Sequence, residues 1–312
     1  MSFQNHFQSS TQFSEFELLA QSIVEGFISG MHKSPFHGFS AEFAEHKIYN
    51  NGDSTRHIDW KLFAKTDKLY TKRFDEETNM RCHIIVDQSA SMYYPNKKDH
   101  SALNYNKVEF SALASAVLLQ ILKKQRDAAG LSLYDDEYDF YAPEKGNERH
   151  FQMLFTKLND LTSSTPKKAK TKTYEVLHQI AEQMHRRSMI ILFTDMFQSD
   201  KASQQLFEAL RHLKYNKHEL ILFHVYDKKT EFDFAFSNTP KHFVDVETGV
   251  SIDLFPEAIQ ENYTAAMANF FRLLKQKCDQ YKINYVPVDV RQGFEKIMIT
   301  FFEKRYKFLK KI

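Results

Sequence analysis

Residues 81–92 read RCHIIVDQSASM. The stretch at 81–86 is a short, nearly continuous apolar run, the mark of a strand buried on both faces rather than of an alternating surface strand. It breaks off at Asp87, and Ser89 and Ser91 follow at every second position. Their short polar groups compete with the backbone for hydrogen bonds, so these residues make a poor strand and a poor helix interior. A sharp turn here would aim all three oxygens at one small volume, a seat for something hard and positive.

Downstream, strand and helix signals alternate. Phe110, Leu113, Ala114, Val117, Leu118, Ile121 and Leu122 mark one helix face. LSLY and DFYA flank DDEY as a hairpin, which is followed by a helix near 148–161 and the linker TSSTPKKAKTKT. A helix carrying Val176, Leu177, Ile180, Ala181 and Met184 leads to the strand MIILF, which ends at Thr194 and Asp195. Leu206, Leu210 and Leu213 mark the next helix. LILFHVY is another buried strand, HFVDVETGVSIDL a hairpin insertion, Pro256–Tyr281 a long helix, NYVPVDV the last strand, and a helix from Gly293 closes the chain. This predicts an α/β fold with a doubly wound, mostly parallel sheet covered on both faces. The hairpin at 131–142 supplies one antiparallel edge strand. In the strand order 3-2-1-4-5-6 the first and fourth strands are neighbours. Asp87 and Asp195 then face each other at the carboxyl ends, where ligands gather in such sheets.

Upstream, residues 1–13 read as a polar tail and Ser14 to about Gly30 as a capped amphipathic helix. Residues 31–80 mix loop and short-strand signals. They carry too little periodicity for a core of their own, so 1–80 is expected to pack on a main domain at 81–312.

Composition narrows the function. The 312 residues hold 42 Lys plus Arg against 40 Asp plus Glu, so no strongly basic face points to nucleic acid. Cys82 and Cys278 have no paired-motif spacing and suit a reducing compartment. There is no signal-peptide pattern at the start and no apolar run near the roughly 20 residues of a membrane span; a soluble cytoplasmic protein is expected. Of eight glycines no two are separated by a single residue, so neither a Rossmann fingerprint nor a Walker loop is present. No intrinsic nucleotide hydrolysis is expected.

A hard cation such as Mg²⁺ takes oxygen ligands and keeps several waters. Asp87 binds it directly or through water, Ser89 and Ser91 offer neutral hydroxyls, and Asp195 holds a coordinated water. A threonine opening the helix after the linker adds another hydroxyl: Thr173 first, with Thr171 as the second choice. The plain alternative is that Asp, Ser and Thr at these positions only cap helices.

With these residues in place the chain resembles known families. D-x-S-x-S, a helix-start Thr and a strand-end Asp are similar to the metal-ion-dependent adhesion site of von Willebrand factor A domains. Farther upstream, GMHKSPFHGFSAEFAEHKIYNNGDSTRHIDWKLFAKTDKLYTKRFDEE resembles the signature of the domain of unknown function 58 family. The matching positions include Gly30, His32, Ser34, Gly52, Asp53, Arg56, Ile58, Asp59, Trp60, Phe74, Glu76 and Glu77. Ser54 stands where the family usually has a second Asp, Lys65 replaces an Arg, and the helix-start Thr follows PKKAKTK instead of glycines. Lys170 and Lys172 in that loop oppose metal binding modestly. The resemblance implies a von Willebrand A-like (Rossmann-like) sheet with an N-terminal family-specific segment. It also implies metal ligation by Asp87, Ser89, Ser91, Thr173 and Asp195, with Mg²⁺ or another divalent cation such as Mn²⁺ or Ca²⁺. A protein partner would complete the shell with a carboxylate, and a MoxR-type AAA+ ATPase would work alongside in protein assembly or stress response.

The leading expectation is therefore a non-catalytic adaptor. No histidine adjoins these motifs as a base, His83 and His100 lying before and beyond the turn. One rival is a metal-dependent phosphohydrolase with Asp87 as nucleophile, for which Ser89 is a poor acid/base. Another is a metal-free interaction scaffold. Two further motifs carry structural readings: the charges of GDSTRHIDW pin a turn while Trp60 anchors it to the core, and the C-terminal helix with Phe294, Ile297, Phe301, Phe302 and Phe308 covers the sheet rather than lying on a membrane.

Overall fold

The computed structural model describes residues 15–30, 43–49, 58–74, 80–95, 105–135, 138–165, 173–185, 187–196, 200–215, 217–246 and 249–309. In chain order, α1 (Glu15–Gly30) precedes β1 (Phe43–Ile48), α2 (Trp60–Thr66) and β2 (Tyr70–Phe74). Next come β3 (Arg81–Asp87), α3 (Lys107–Gln125), β4 (Ala128–Tyr134), β5 (Tyr138–Lys145) and α4 (Glu148–Ser163). They are followed by α5 (Thr173–Gln183), β6 (Met189–Thr194), α6 (Asp200–Tyr215) and β7 (Glu219–Tyr226). A hairpin of β8 (Lys241–Val244) and β9 (Ser251–Leu254), then α7 (Pro256–Gln280), β10 (Asn284–Asp289) and α8 (Phe294–Leu309) complete the chain.

Six strands form the main sheet in the order β10-β7-β6-β3-β4-β5. Counted within that sheet this is 6-5-4-1-2-3, the expected doubly wound order. All pairs are parallel except β4 with β5. The fold is a Rossmann-like, doubly wound α/β architecture with one antiparallel edge strand. β5 tolerates Pro143 because it is an edge strand and its pairing shifts register beside that residue. Period-two side chains divide the core. Cys82, Ile84 and Val86 of β3 join α1, α3, α4 and α8 on one face, while Ile85 joins α5, α6 and α7 on the other. Phe294, Ile297, Phe301 and Phe302 are buried, so α8 covers the sheet. Ala20, Ile23 and Val24 of α1 are buried in the same cluster. Both cysteines are buried free thiols.

Around Trp60 the expectation needs correcting. Asp59 does pin a turn, accepting bonds from the Lys61 and Leu62 amides at the start of α2. Trp60, however, is 62% exposed and meets Phe63 edge-on, so it does not anchor the segment to the core. Asp53 and Arg56, like the N-terminal tail and Ser14, lie outside the described residues.

Edge strand β5 is held by a buried polar strap. His83 Nδ1 donates to Glu144 Oε1 at 2.7 Å, and His83 Nε2 lies 2.7 Å from Ser132 Oγ. The order Ser-His-Glu is that of a hydrolytic triad, but Ser132 and His83 are both 0% exposed in mid-strand, sealed from any substrate. Burial alone would raise the Glu144 carboxyl; the His83 bond and charge hold it below its usual range. Gly130 makes room for the ring: a Cβ there would stand 2.4 Å from His83 Nδ1 and 2.9 Å from the Ala142 carbonyl oxygen. Gly130→Ala should therefore cost roughly 1–3 kcal/mol through overpacking. Gly146→Ala, whose new Cβ meets nothing nearer than 3.6 Å, should stay close to wild type. Thermal melts of both variants check this, and equal melting temperatures would remove the steric argument.

Candidate functional site

Parallel pairing of β3 with β6 sets their carboxyl ends side by side. There the chain leaves β3 through Asp87, Gln88 and Ser89 into a short 3₁₀ turn at 90–93. Asp87 Oδ1 accepts the Ser89 amide at 2.9 Å, which curls the turn back over the strand end. Ser89 Oγ and Ser91 Oγ then stand 3.1 Å apart. From β6, Thr194 Oγ1 donates to Asp87 Oδ2 at 2.7 Å. Its oxygen also accepts the Met196 amide, and Met196 takes a left-handed φ of 58° that turns the chain sharply after Asp195.

Four of the five expected ligands thus converge: Asp87, Ser89, Ser91 and Asp195. Thr173 opens α5 as expected, but its side chain, like Thr171, Lys170 and Lys172, lies outside the described residues. The hydroxyl seen on Asp87 is that of Thr194. The site is also more enclosed than an open crevice. Asp87 and Asp195 are each 2% exposed and Ser89 4%, and only Ser91 is half-buried. Burial first, and then the charge of Asp195, push the Asp87 carboxyl up to about 6.

Sequence reasoning missed the cation of this site. Lys107 Nζ, 0% exposed, donates to Asp195 Oδ2 at 2.8 Å and to Glu231 Oε1 at 2.5 Å. Burial works against its charge, yet the two carboxylates hold the ammonium above the usual lysine range. Asn106 and Glu109 form a reciprocal capping box that starts α3 with Lys107 in its first turn. Glu231 lies in a π-helical turn at 228–232 and is raised by burial, an effect Lys107 partly offsets. Asp227 anchors that turn by accepting from Arg291 Nε and Nη2. A Tyr94 hydroxyl donating to Thr230 Oγ1 at 2.7 Å ties it to the serine turn.

Two more groups were invisible in one dimension. His224 Nε2 donates to the Asp195 carbonyl oxygen at 3.0 Å, so Nδ1 accepts from the Tyr285 hydroxyl at 2.8 Å. Burial lowers this imidazole to about 4, leaving it neutral and fully engaged as a brace. The Tyr134 hydroxyl is buried beside Asp87 and Thr194, and burial with the nearby Asp87 charge holds it well above the usual phenol range. Two carboxylates thus hold one ammonium, with the Asp87 carboxyl and two converging hydroxyls beside them. Hard oxygen donors under excess negative charge fit a divalent cation. Among the described residues no group of three or more His, Cys, Asp or Glu clusters as a metal site, so such an ion would depend on the hydroxyls.

Residues 45–269 match the family described as Protein of unknown function DUF58. A curated relative, "Uncharacterized protein Rv1480" of Mycobacterium tuberculosis, is 28% identical over 76 residues, 24% of this chain and 24% of that protein. "Uncharacterized protein Mb1516" of Mycobacterium bovis matches to the same extent. The match therefore spans about a quarter of these relatives' length. Among solved structures, the chain is similar to the conserved hypothetical protein BatB from Bacteroides thetaiotaomicron, with 16% identity and a TM-score of 0.42 over 73% of this chain and 99% of that one. It is likewise similar to an aerotolerance-related membrane protein from Bacteroides fragilis, at 14% and 0.42 over 75% and 100%. In this chain, no helix among the described residues is long and apolar enough to cross a membrane.

The raised Asp87 carboxyl carries a pH dependence. Its native state holds the proton more tightly than the unfolded chain, for which 3.8 applies. The stabilising contribution is complete below 3.8 and is lost as pH rises through about 6. In chelator-treated protein Asp87→Asn should thus be more stable than wild type at neutral pH by roughly 1–3 kcal/mol. The gap should close in acid. Urea unfolding across that range tests it, and an Asn variant weaker at neutral pH would show that the carboxylate is held favourably after all.

Proposed function

The chain belongs to the DUF58 family, and on that premise we propose that it is a non-catalytic adaptor that binds a partner protein at the Asp87–Ser89–Ser91 turn through a divalent cation, Mg²⁺ in the first place. The observation that carries this reading is the buried excess of acid at the β3 and β6 ends, with two hydroxyls 3.1 Å apart beside it. When bound, the cation would supply an electrophilic seat for a partner's carboxylate. This chain's residues do the rest. Ser89 and Ser91 present neutral oxygens that leave the ion electron-poor, Thr194 orients Asp87, and His224 fixes the backbone at Asp195. The half-buried Ser91 marks the side from which a partner approaches. Binding rather than turnover is favoured because His224, the imidazole at the site, has both nitrogens engaged.

A second feature supports protein recognition. The β8–β9 hairpin packs Phe243 on Phe234, which also meets Tyr263, and Tyr263 bonds the Glu231 carbonyl oxygen. The hairpin also exposes Val244 at 51%, Val250 at 69% and Ile252 at 59%. Apolar surface of this kind beside a polar site suits a protein interface. A MoxR-type AAA+ ATPase, implied by the family resemblance, is the partner we propose, in protein assembly or stress response. Nucleotide hydrolysis would then belong to that partner, since this chain has no glycine-rich phosphate loop. The cytoplasm, where buried thiols stay reduced, is the compartment we propose.

Calorimetric titration with Mg²⁺, alongside pull-down of a co-expressed MoxR-type ATPase, tests the reading on wild type and Asp87→Asn. We expect metal binding to weaken by at least about tenfold, equivalent to roughly 1.4 kcal/mol, and partner capture to fall with it, while the variant still folds. Unchanged binding of both by a folded variant would sink the adhesion-site reading.

A further inference from the structure

We propose that Lys107 is a tethered cation that competes with the divalent ion for Asp195, so that metal arrival drives its ammonium wholly onto Glu231 and is thereby transmitted to the 228–232 turn. This rests on the metal reading above and adds its regulation. The geometry is specific. Lys107 Nζ is shared between Asp195 Oδ2 at 2.8 Å and Glu231 Oε1 at 2.5 Å, so one of the two acidic groups expected to serve the ion is engaged by the chain's own charge. A divalent ion drawing on Asp195 would stand next to a buried ammonium, and two cations repel strongly where water is excluded. Glu231 gives the ammonium a second seat already within bonding distance. A short shift, rather than expulsion of a buried charge, would then clear Asp195.

The receiving turn is wired to respond. Glu231 Oε2 accepts the Asp227 amide at 2.7 Å, and the Glu231 carbonyl oxygen accepts the Tyr263 hydroxyl at 2.9 Å. Thr230 donates to Asp227 Oδ2 at 3.0 Å and receives the Tyr94 hydroxyl at 2.7 Å. A tighter Lys107–Glu231 pair thus pulls on a turn joined to the serine turn on one side and, through Tyr263, to α7 on the other. Lys107 acts here as a positioning residue.

The test uses Mn²⁺ and Mg²⁺ themselves as probes on the full chain. Calorimetry of Lys107→Met should show binding at least about tenfold tighter than wild type, whereas Lys107→Arg, which keeps the charge, should not. Hydrogen exchange at 228–232 should change on Mn²⁺ addition in wild type and stay unchanged in Lys107→Met. If the single variant fails to fold, Lys107→Met/Glu231→Gln removes one of the carboxylates facing the lost ammonium and carries the same expectation for affinity. Tighter binding by the Met variant with none by wild type would support the competition and refute metal use by the native protein. Equal affinity in folded Lys107→Met and wild type would overturn the competition and leave the metal reading standing. No binding by either chain would refute both.

Discussion

A lysine ammonium with no exposure, placed between Asp195 and Glu231, organises the carboxyl end of the sheet. Burying an ion is expensive, and a buried pair seldom stabilises more than apolar residues of the same shape would. Removing one member is another matter, because the remaining charges are stranded in a medium of low polarisability. Once Lys107 is in place, the Asp195 and Glu231 carboxylates, and with Glu231 the turn at 228–232, are therefore bound to it. Its position is locally unfavourable too. A cation in the first turn of α3 faces the positive end of the helix dipole. The capping box of Asn106 and Glu109 holds it there regardless. Places where a chain breaks a local rule and compensates with long-range contacts are the usual marks of a functional site.

The two halves of the site differ in how they are held. Around Asp87 the contacts are mixed: its own turn supplies the Ser89 amide and leads on to Ser91, while Thr194 reaches in from β6. Around Asp195 they are long. Lys107 comes from α3, His224 from β7 and Glu231 from the turn after it. Parallel pairing of β3, β6 and β7 brings these segments together, because each strand delivers its carboxyl end to the same edge. Tyr94 closes the ring by linking the serine turn to Thr230.

This difference also explains what could be read from residues alone. Asp87, Ser89 and Ser91 stand out because they interrupt an apolar run, and Asp195 because it ends one; the strand order then makes them neighbours. Lys107 carries no such signal. It sits in YNKVEF, where Asn-x-x-Glu announces a helix start, but the two acids that explain its charge lie 88 and 124 residues away. Thr194 was legible as a strand end and not as the donor to Asp87. His224 reads as one polar residue in LILFHVY, and only pairing with β6 puts it against the Asp195 carbonyl. Trp60 shows the opposite failure. Its size suggested an anchor, whereas Asp59 fixes the turn through backbone amides and leaves the indole outside.

The extent of the family match sharpens the division of labour. Residues 45–269 contain Asp87, Ser89, Ser91, Lys107, Thr194, Asp195, His224 and Glu231, so the whole acid–hydroxyl–ammonium cluster lies within the matched segment. The groups that steady it lie partly beyond. Arg291 clasps Asp227 from the chain after β10, Asp289 accepts the Lys228 amide at 3.2 Å, and Tyr285 of β10 bonds His224. The last parallel strand thus acts on the site at second hand, by holding the 228–232 turn and the His224 ring rather than by supplying a ligand. Weakening the Asp227–Arg291 pair would loosen the seat offered to Lys107 while leaving Asp87, Ser89 and Ser91 in place. In the proposed competition that seat therefore bears on affinity for an ion as well as on transmission of its arrival.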